Sequence, residues 1–138
     1  MILSIKRHTV EIIRALLLVV MPAIALAEEF QTPAITVPDL LDRQASSQNI
    51  VVVDVRASGE YKSGHVPGAI NIPHDKLDKK LDKLSQADSV VLYCFNGKRT
   101  RQAEQTLLDN HFENVFHLEG GLTSWRQHGR KLKTGWGP

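Results

Sequence analysis

The sequence predicts one α/β domain whose sheet is mainly parallel, with helices on both faces. Three observations carry this expectation. Two apolar runs, Asn49-Ile-Val-Val-Val-Asp-Val55 and Ser89-Val-Val-Leu-Tyr93, are continuous rather than alternating, which is the pattern of strands covered on both faces. Segments with helical spacing separate the strands, and such alternation gives a parallel sheet with helical crossovers. The chain has 138 residues, room for one core at roughly 100–150 residues per domain. With 42% hydrophobic and 23% charged residues, its composition excludes a disordered or collagen-like chain and a multi-span membrane protein.

The first segment stands apart. Lys6, Arg7 and Arg14 precede the apolar run 15–27, which closes on Ala25-Leu26-Ala27 and is followed by Glu28 and Glu29. Positive flank, short apolar stretch and small-x-small ending are the marks of a secretory signal. The run has 13 residues and Pro22 interrupts it, whereas a membrane-spanning helix needs about 20. Residues 1–27 are therefore expected to be a signal peptide cleaved after Ala27, placing the mature chain in the periplasm or outside the cell with no stable membrane insertion. Residues 28–36 then form a spacer, and residues 37–138 the domain with a short C-terminal tail.

Within the domain, Val37-Pro38-Asp39-Leu-Leu-Asp-Arg-Gln44 opens with Pro near a first helical turn and predicts a short helix. The run 49–55 is the central strand. Gly59, Gly64, Pro67 and Gly68 punctuate an irregular stretch before a short strand, 69–72, which Pro73 ends. Leu77, Leu81 and Leu84 recur with helical spacing among charges, so residues 75–84 predict an amphipathic helix. The run 89–93 is a second buried strand. A helix over about 100–110 follows, with Ala103, Leu107 and Leu108 inward, then a strand at 114–118 and a last helix at 122–128. The tail 130–138 shows no clear element.

Removing residues 1–27 takes away three basic groups and one acidic group, leaving 14 basic residues against 14 acidic ones. The mature chain is formally neutral, so no overall field argues for nucleic acid as a partner. The six histidines show no ligand spacing, and there is one cysteine. Neither a metal site nor a cofactor is expected. An intrachain disulfide is impossible, so a lone thiol in an exported chain is inert, paired between molecules, or kept for its reactivity.

Its surroundings favour reactivity. The strand 89–93 runs directly into Cys94-Phe95-Asn96-Gly97-Lys98-Arg99-Thr100, where a helix begins. A cysteine delivered by a strand into such a loop sits where backbone N–H groups and a helix N-terminus converge, and these favour negative charge. They lower the thiol pKa and leave a nucleophilic thiolate, with Lys98 and Arg99 expected to help. Gly97 supplies the turn. Asp54 and Arg56 share a strand face; they either support the loop and an anionic ligand or, as charged pairs more often do, form a structural ion pair. His65 reads as a turn residue bonded to backbone, Trp125 as a packing residue and Trp136 as an exposed one.

Cys94-x-x-Gly97-x-Arg99-Thr100, Asp54-Val-Arg56, Gly64-His-Val-Pro-Gly68-Ala-Ile-Asn-Ile-Pro73 and Leu118-Glu-Gly-Gly-Leu-Thr-Ser-Trp125 all occur along the chain. Together they resemble the rhodanese (thiosulfate sulfurtransferase) family over about residues 37–128. The resemblance implies a three-layer sandwich with a five-stranded sheet, and a Cys94 that carries sulfane sulfur as a persulfide. It maps the active-site loop onto Cys94, Phe95, Asn96, Gly97, Lys98 and Arg99. It also implies a small anionic sulfur donor such as thiosulfate, and cyanide, a thiol or a protein cysteine as acceptor. Two departures stand out. Where family chains carry Gly after the helix, this one has His111, so the left-handed turn is expected at Asn110. Gly129-Arg-Lys-Leu132 replaces a common Gly-x-Pro.

Two rival readings remain. Related phosphatases and arsenate reductases resemble the pattern but have one more residue between Cys and Arg, and here four residues lie between Cys94 and Arg99. A noncatalytic rhodanese-like binding module is the other, usual where the cysteine has been lost.

Overall fold

The computed structural model describes residues 29–138; the expected signal segment, residues 1–27, lies outside them. The described chain runs β1 (Ala34–Ile35), α1 (Val37–Ala45), β2 (Ile50–Asp54), α2 (Ser58–Ser63), β3 (Ile70–Asn71), two 3-10 segments (His74–Lys79 and Leu81–Leu84), β4 (Ser89–Tyr93), α3 (Lys98–Asp109), β5 (Val115–Leu118) and α4 (Gly121–Gln127). The five strands form one sheet in the order β1-β5-β4-β2-β3, and every pairing is parallel.

The continuous apolar runs have the cause the sequence suggested. Along β4, Val91 and Tyr93 enter one core with Leu40, Val52, Leu122 and Trp125. Val90 and Leu92 enter the other, with Val53, Leu84, Ala103, Leu107 and Cys94. Both faces are covered, so neither parity of the strand can be polar. Helix α1 begins as expected: the Thr36 hydroxyl accepts the Asp39 N–H at 3.2 Å, and Pro occupies the first turn.

Four details differ from the sequence expectation. Residues 34–35, placed in a spacer, pair with His117 and Leu118 as the edge strand β1. Part of the stretch read as irregular forms α2. Residues 75–84 do not form one α-helix. Their backbone bonds run from residue i+3 to i, as in Lys80 N–H to the Leu77 carbonyl, and the two segments meet at Lys80 with φ −135°. Leu77 and Leu84 are buried all the same. Finally, the left-handed residue after α3 is His111 (φ 63°), not Asn110 (φ −100°). His111 gives its N–H to the Leu108 carbonyl and Phe112 to Leu107, which fastens the helix end.

The tail, in which the sequence showed no clear element, returns to the domain. Lys133 and His65 exchange both backbone hydrogen bonds at 2.9 Å, Gly135 N–H donates to the Lys62 carbonyl, and Trp125 Nε1 to Lys131. Among the described residues, no helix is long and apolar enough to cross a membrane.

Candidate active site

Cys94 follows β4 directly and lies at the C-terminal end of a parallel sheet, where open α/β folds place their ligands. The thiol is 1% exposed. The loop folds over it because Gly97 adopts φ 98°, a conformation that a side chain at Cβ resists. This turn brings the Gly97 N–H to 3.0 Å from Sγ. Burial pushes the thiol pKa up, but the polar hydrogens turned toward the sulfur, those of the Thr100 hydroxyl and of the Thr100, Gly97 and Asn96 amides, outweigh it, so the net shift is downward. Thr100 is itself 2% exposed, and its buried hydroxyl completes no hydrogen bond among the described residues, so the hydrogen bond that the geometry shows at Sγ is that of the Gly97 N–H.

Of the two cations expected to help the thiolate, Arg99 interacts with the Cys94 charge, while Lys98 points to solvent, which screens its charge. Arg99 forms a two-pronged pair with Glu60 of α2, at 2.5 and 2.9 Å. Depression of the thiol pKa therefore comes first from the Thr100 hydroxyl and the amides, and Arg99 closes the loop against α2. Glu60 also accepts the Ala57 N–H at 3.2 Å. Arg99 in turn holds the Glu60 carboxyl below its ordinary range. Phe95 and Asn96 stand at the mouth, with Phe95 45% exposed.

From the other side, α4 braces the loop. Leu122 N–H donates to the Cys94 carbonyl at 2.9 Å and the Thr123 hydroxyl to the Phe95 carbonyl at 3.2 Å. Gly121 makes this approach possible, since a Cβ there would lie 2.5 Å from the Cys94 carbonyl oxygen.

Asp54 and Arg56 are not in the cradle. Asp54 is fully buried and Arg56 is 5% exposed. Their side chains pair at 2.6 Å, Arg56 continues to the Gly64 carbonyl at 2.7 Å, and the Tyr93 hydroxyl donates to Asp54 at 2.8 Å. Tyr93 and Cys94 enter opposite cores, so this network lies across the sheet from the sulfur. Burial first, then the Asp54 charge, pushes the Tyr93 pKa up and keeps it a donor. His65 is fully buried, with Nδ1 2.9 Å from the Tyr61 carbonyl oxygen and Nε2 3.1 Å from that of Gly137. Among the described residues, no group of three or more His, Cys, Asp or Glu is placed to hold a metal ion.

Sequence reasoning missed Glu60, Tyr93, Leu122 and Thr123. Glu60 is one acid in a polar stretch and the others act through one atom each. Only Gly120-Gly121 signalled that α4 begins at a close contact.

The family model for the rhodanese-like domain matches residues 36–128. The chain belongs to the rhodanese family. A sulfurtransferase from Allochromatium vinosum is 30% identical over 90 residues, which are 65% of this chain and 84% of that one. The chain spans 50% of the length of a Bacillus subtilis relative. It spans 28% of a tRNA uridine(34) hydroxylase from Yersinia enterocolitica, to which it is 34% identical over 69% of its own length. Rhodanese-like domains thus serve in proteins of more than one activity. Among solved structures, the BH2092 protein from Bacillus halodurans has a TM-score of 0.67 at 28% identity, covering 75% of this chain and 77% of that one.

Proposed function

We propose that the protein is an exported thiosulfate sulfurtransferase that works through a Cys94 persulfide. The observation that carries this reading is the buried Cys94 sulfur at the end of the central strand, with the Gly97 N–H 3.0 Å from it and the thiol pKa lowered by the loop around it. Such a loop favours a thiolate and favours the anionic outer sulfur of a persulfide for the same reason.

The reaction has two displacements. The Cys94 thiolate attacks the outer sulfur of thiosulfate; a bond forms between Sγ and that sulfur, the S–S bond of the donor breaks, and sulfite leaves with its electron pair. Cyanide, or a thiolate on a small molecule or a protein, then attacks the outer sulfur of the persulfide, and Cys94 departs as thiolate. No external oxidant or reductant enters. Group transfer through a covalent intermediate gives ping-pong kinetics. Cys94 is the nucleophile. The N–H groups of Asn96, Gly97 and Thr100 and the Thr100 hydroxyl stabilise the charge, Phe95 and Lys98 flank the entrance, and Arg99 fixes the loop. Asp54 and Arg56 support the strand ends. The proposed mature chain starts at Glu28 in the periplasm or outside the cell.

Mass spectrometry of the protein mixed with thiosulfate tests the central step. The expected product is one added sulfur on Cys94, discharged as thiocyanate by cyanide. A Cys94→Ser protein that still makes thiocyanate at a comparable rate would remove Cys94 from the mechanism.

A further inference from the structure

Phe30 lies in the stretch expected to be a spacer, yet it is held on three sides. The Gln31 N–H donates to Glu104 at 3.1 Å and the Thr32 hydroxyl donates to the same carboxylate. Glu104 is fully buried and lies 3.1 Å from His117 Nδ1, so α3 and β5 together anchor this segment. On that anchor the Phe30 ring stacks on the His117 imidazole, with centroids 3.7 Å apart and planes 11° apart. The Arg101 guanidinium lies 5.1 Å from its centroid.

The tip of the ring points at the cysteine loop. Phe30 Cζ is 2.6 Å from the position a Cβ on Gly97 would take. Gly97 is the residue whose left-handed turn brings an N–H to Cys94 Sγ. The Gly97 carbonyl accepts the Arg101 N–H at 3.1 Å, which ties the glycine to α3 on one side; its other side has no Cβ to pack, and because glycine has the largest conformational freedom of any residue, a contact there further restricts the direction of its N–H.

We propose that Phe30 is a positioning residue for the cysteine loop: its ring fills the space over Gly97 and keeps the Gly97 N–H directed at Cys94 Sγ. The segment ahead of β1 is then part of the active-site support. The consequence for turnover rests on the sulfurtransferase reading, whereas the effect on the thiol does not.

The test is the pH profile of Cys94 alkylation by iodoacetamide, with thiosulfate:cyanide turnover measured separately. Phe30→Ala should move the profile to higher pH; a midpoint raised by one pH unit lowers the rate by about tenfold at pH values well below the midpoint. The plateau at alkaline pH should not change. Phe30→Leu keeps contact with the His117 ring but is too short to reach Gly97, so it should move the profile the same way and carries the test if the alanine variant unfolds. These substitutions leave the charged groups around the contact and the thiol in place: Lys98, Arg99, Arg101 and Glu104 on α3, His117 on β5 and Glu60 on α2. Leu41→Ala, which loosens packing across the sheet from Cys94, controls for lost stability and should leave the profile alone. Leucine and alanine profiles that overlay the wild type, or a Leu41→Ala displacement of equal size, would overturn the proposal. A wild type that transfers no sulfur, with the Phe30 effect on the thiol intact, would sink the sulfurtransferase reading and leave the positioning role standing.

Discussion

Cys94 shows how one side chain acquires its chemistry from atoms that a motif does not name. Its basic neighbours suggested a charge effect. Burial in fact pushes the thiol pKa up, and what overcomes burial is led by the Thr100 hydroxyl, followed by backbone N–H groups. A hydrogen bond to a charged group is worth about 1.5–3 kcal/mol, so Thr100→Val should raise the apparent thiol pKa by about one pH unit or more, and Thr100→Ser should restore it. Alkylation rate against pH reads this directly. The sign of the stability linkage follows. Because the folded thiol ionises below the unfolded one, its contribution is fully present above the unfolded pKa and is lost as pH falls through the folded value. Wild type should therefore gain stability over Cys94→Ser as pH rises from neutral to mildly alkaline, measured by urea unfolding at matched ionic strength. Glu60 gives the other residue-scale test. Glu60→Gln removes the negative partner of Arg99 at the mouth; it should cost at most about 1 kcal/mol of stability, since the pair is partly exposed. It should also speed reaction with anionic thiosulfate at low salt, an advantage that fades as salt is added.

At the scale of the element, what the sequence revealed depended on whether one segment decided its own structure. β2 and β4 were legible because burial on both faces leaves a pattern in the chain itself, and the cysteine loop was legible because Cys, Gly and Arg fall at fixed spacing after a strand. β1 was not legible: two residues form a strand only because β5 offers them an edge. The segment 75–84 has leucines at helical spacing, yet it buries Leu77 and Leu84 through two tighter 3-10 segments that break at Lys80, because leucines at i, i+4 and i+7 mark a buried side of the chain without fixing which helix presents it. The α3 terminus combines both lessons. The turn after the helix was predicted, but the chain closes it with His111 at φ 63°, a conformation costing a non-glycine residue roughly 1–2 kcal/mol. His111→Gly should recover part of this and stabilise the domain by about 0.5–1 kcal/mol, with sulfur transfer unchanged, as checked by thermal melting and turnover. The buried pair predicts the opposite sign. Asp54→Ala leaves the buried Arg56 charge with the Gly64 carbonyl alone and the Tyr93 hydroxyl without its acceptor, which should cost about 3–5 kcal/mol.

Across the whole molecule, the cysteine loop is clamped between segments distant in sequence, and the C-terminal tail extends that clamp. Arg99 ties the loop to α2, and the residues around α2 are in turn covered by the tail: His65 pairs with Lys133, Lys62 accepts from Gly135, and Leu132 packs on Gly64. Trp136 adds a cation contact, with Lys62 Nζ 5.8 Å from its ring centroid. Removing residues 130–138 would therefore expose His65, which is now fully buried, and would strip partners from the backbone on both sides of α2. Four lost backbone hydrogen bonds at about 1 kcal/mol each, with burial of Leu132 in addition, predict destabilisation of about 4 kcal/mol or more. In a domain of this size each kcal/mol moves the melting temperature by about 4–8 °C. The thiol, by contrast, draws its donors from the loop and α3, which the tail does not touch in any of these contacts. Truncation should consequently lower the melting temperature as α2 loosens, while the alkylation pH profile of Cys94 keeps its midpoint. Melting and alkylation on the same truncated protein separate these effects. A displaced thiol midpoint with unchanged melting would mean that the tail supports the sulfur directly and that α2 is not the intermediary.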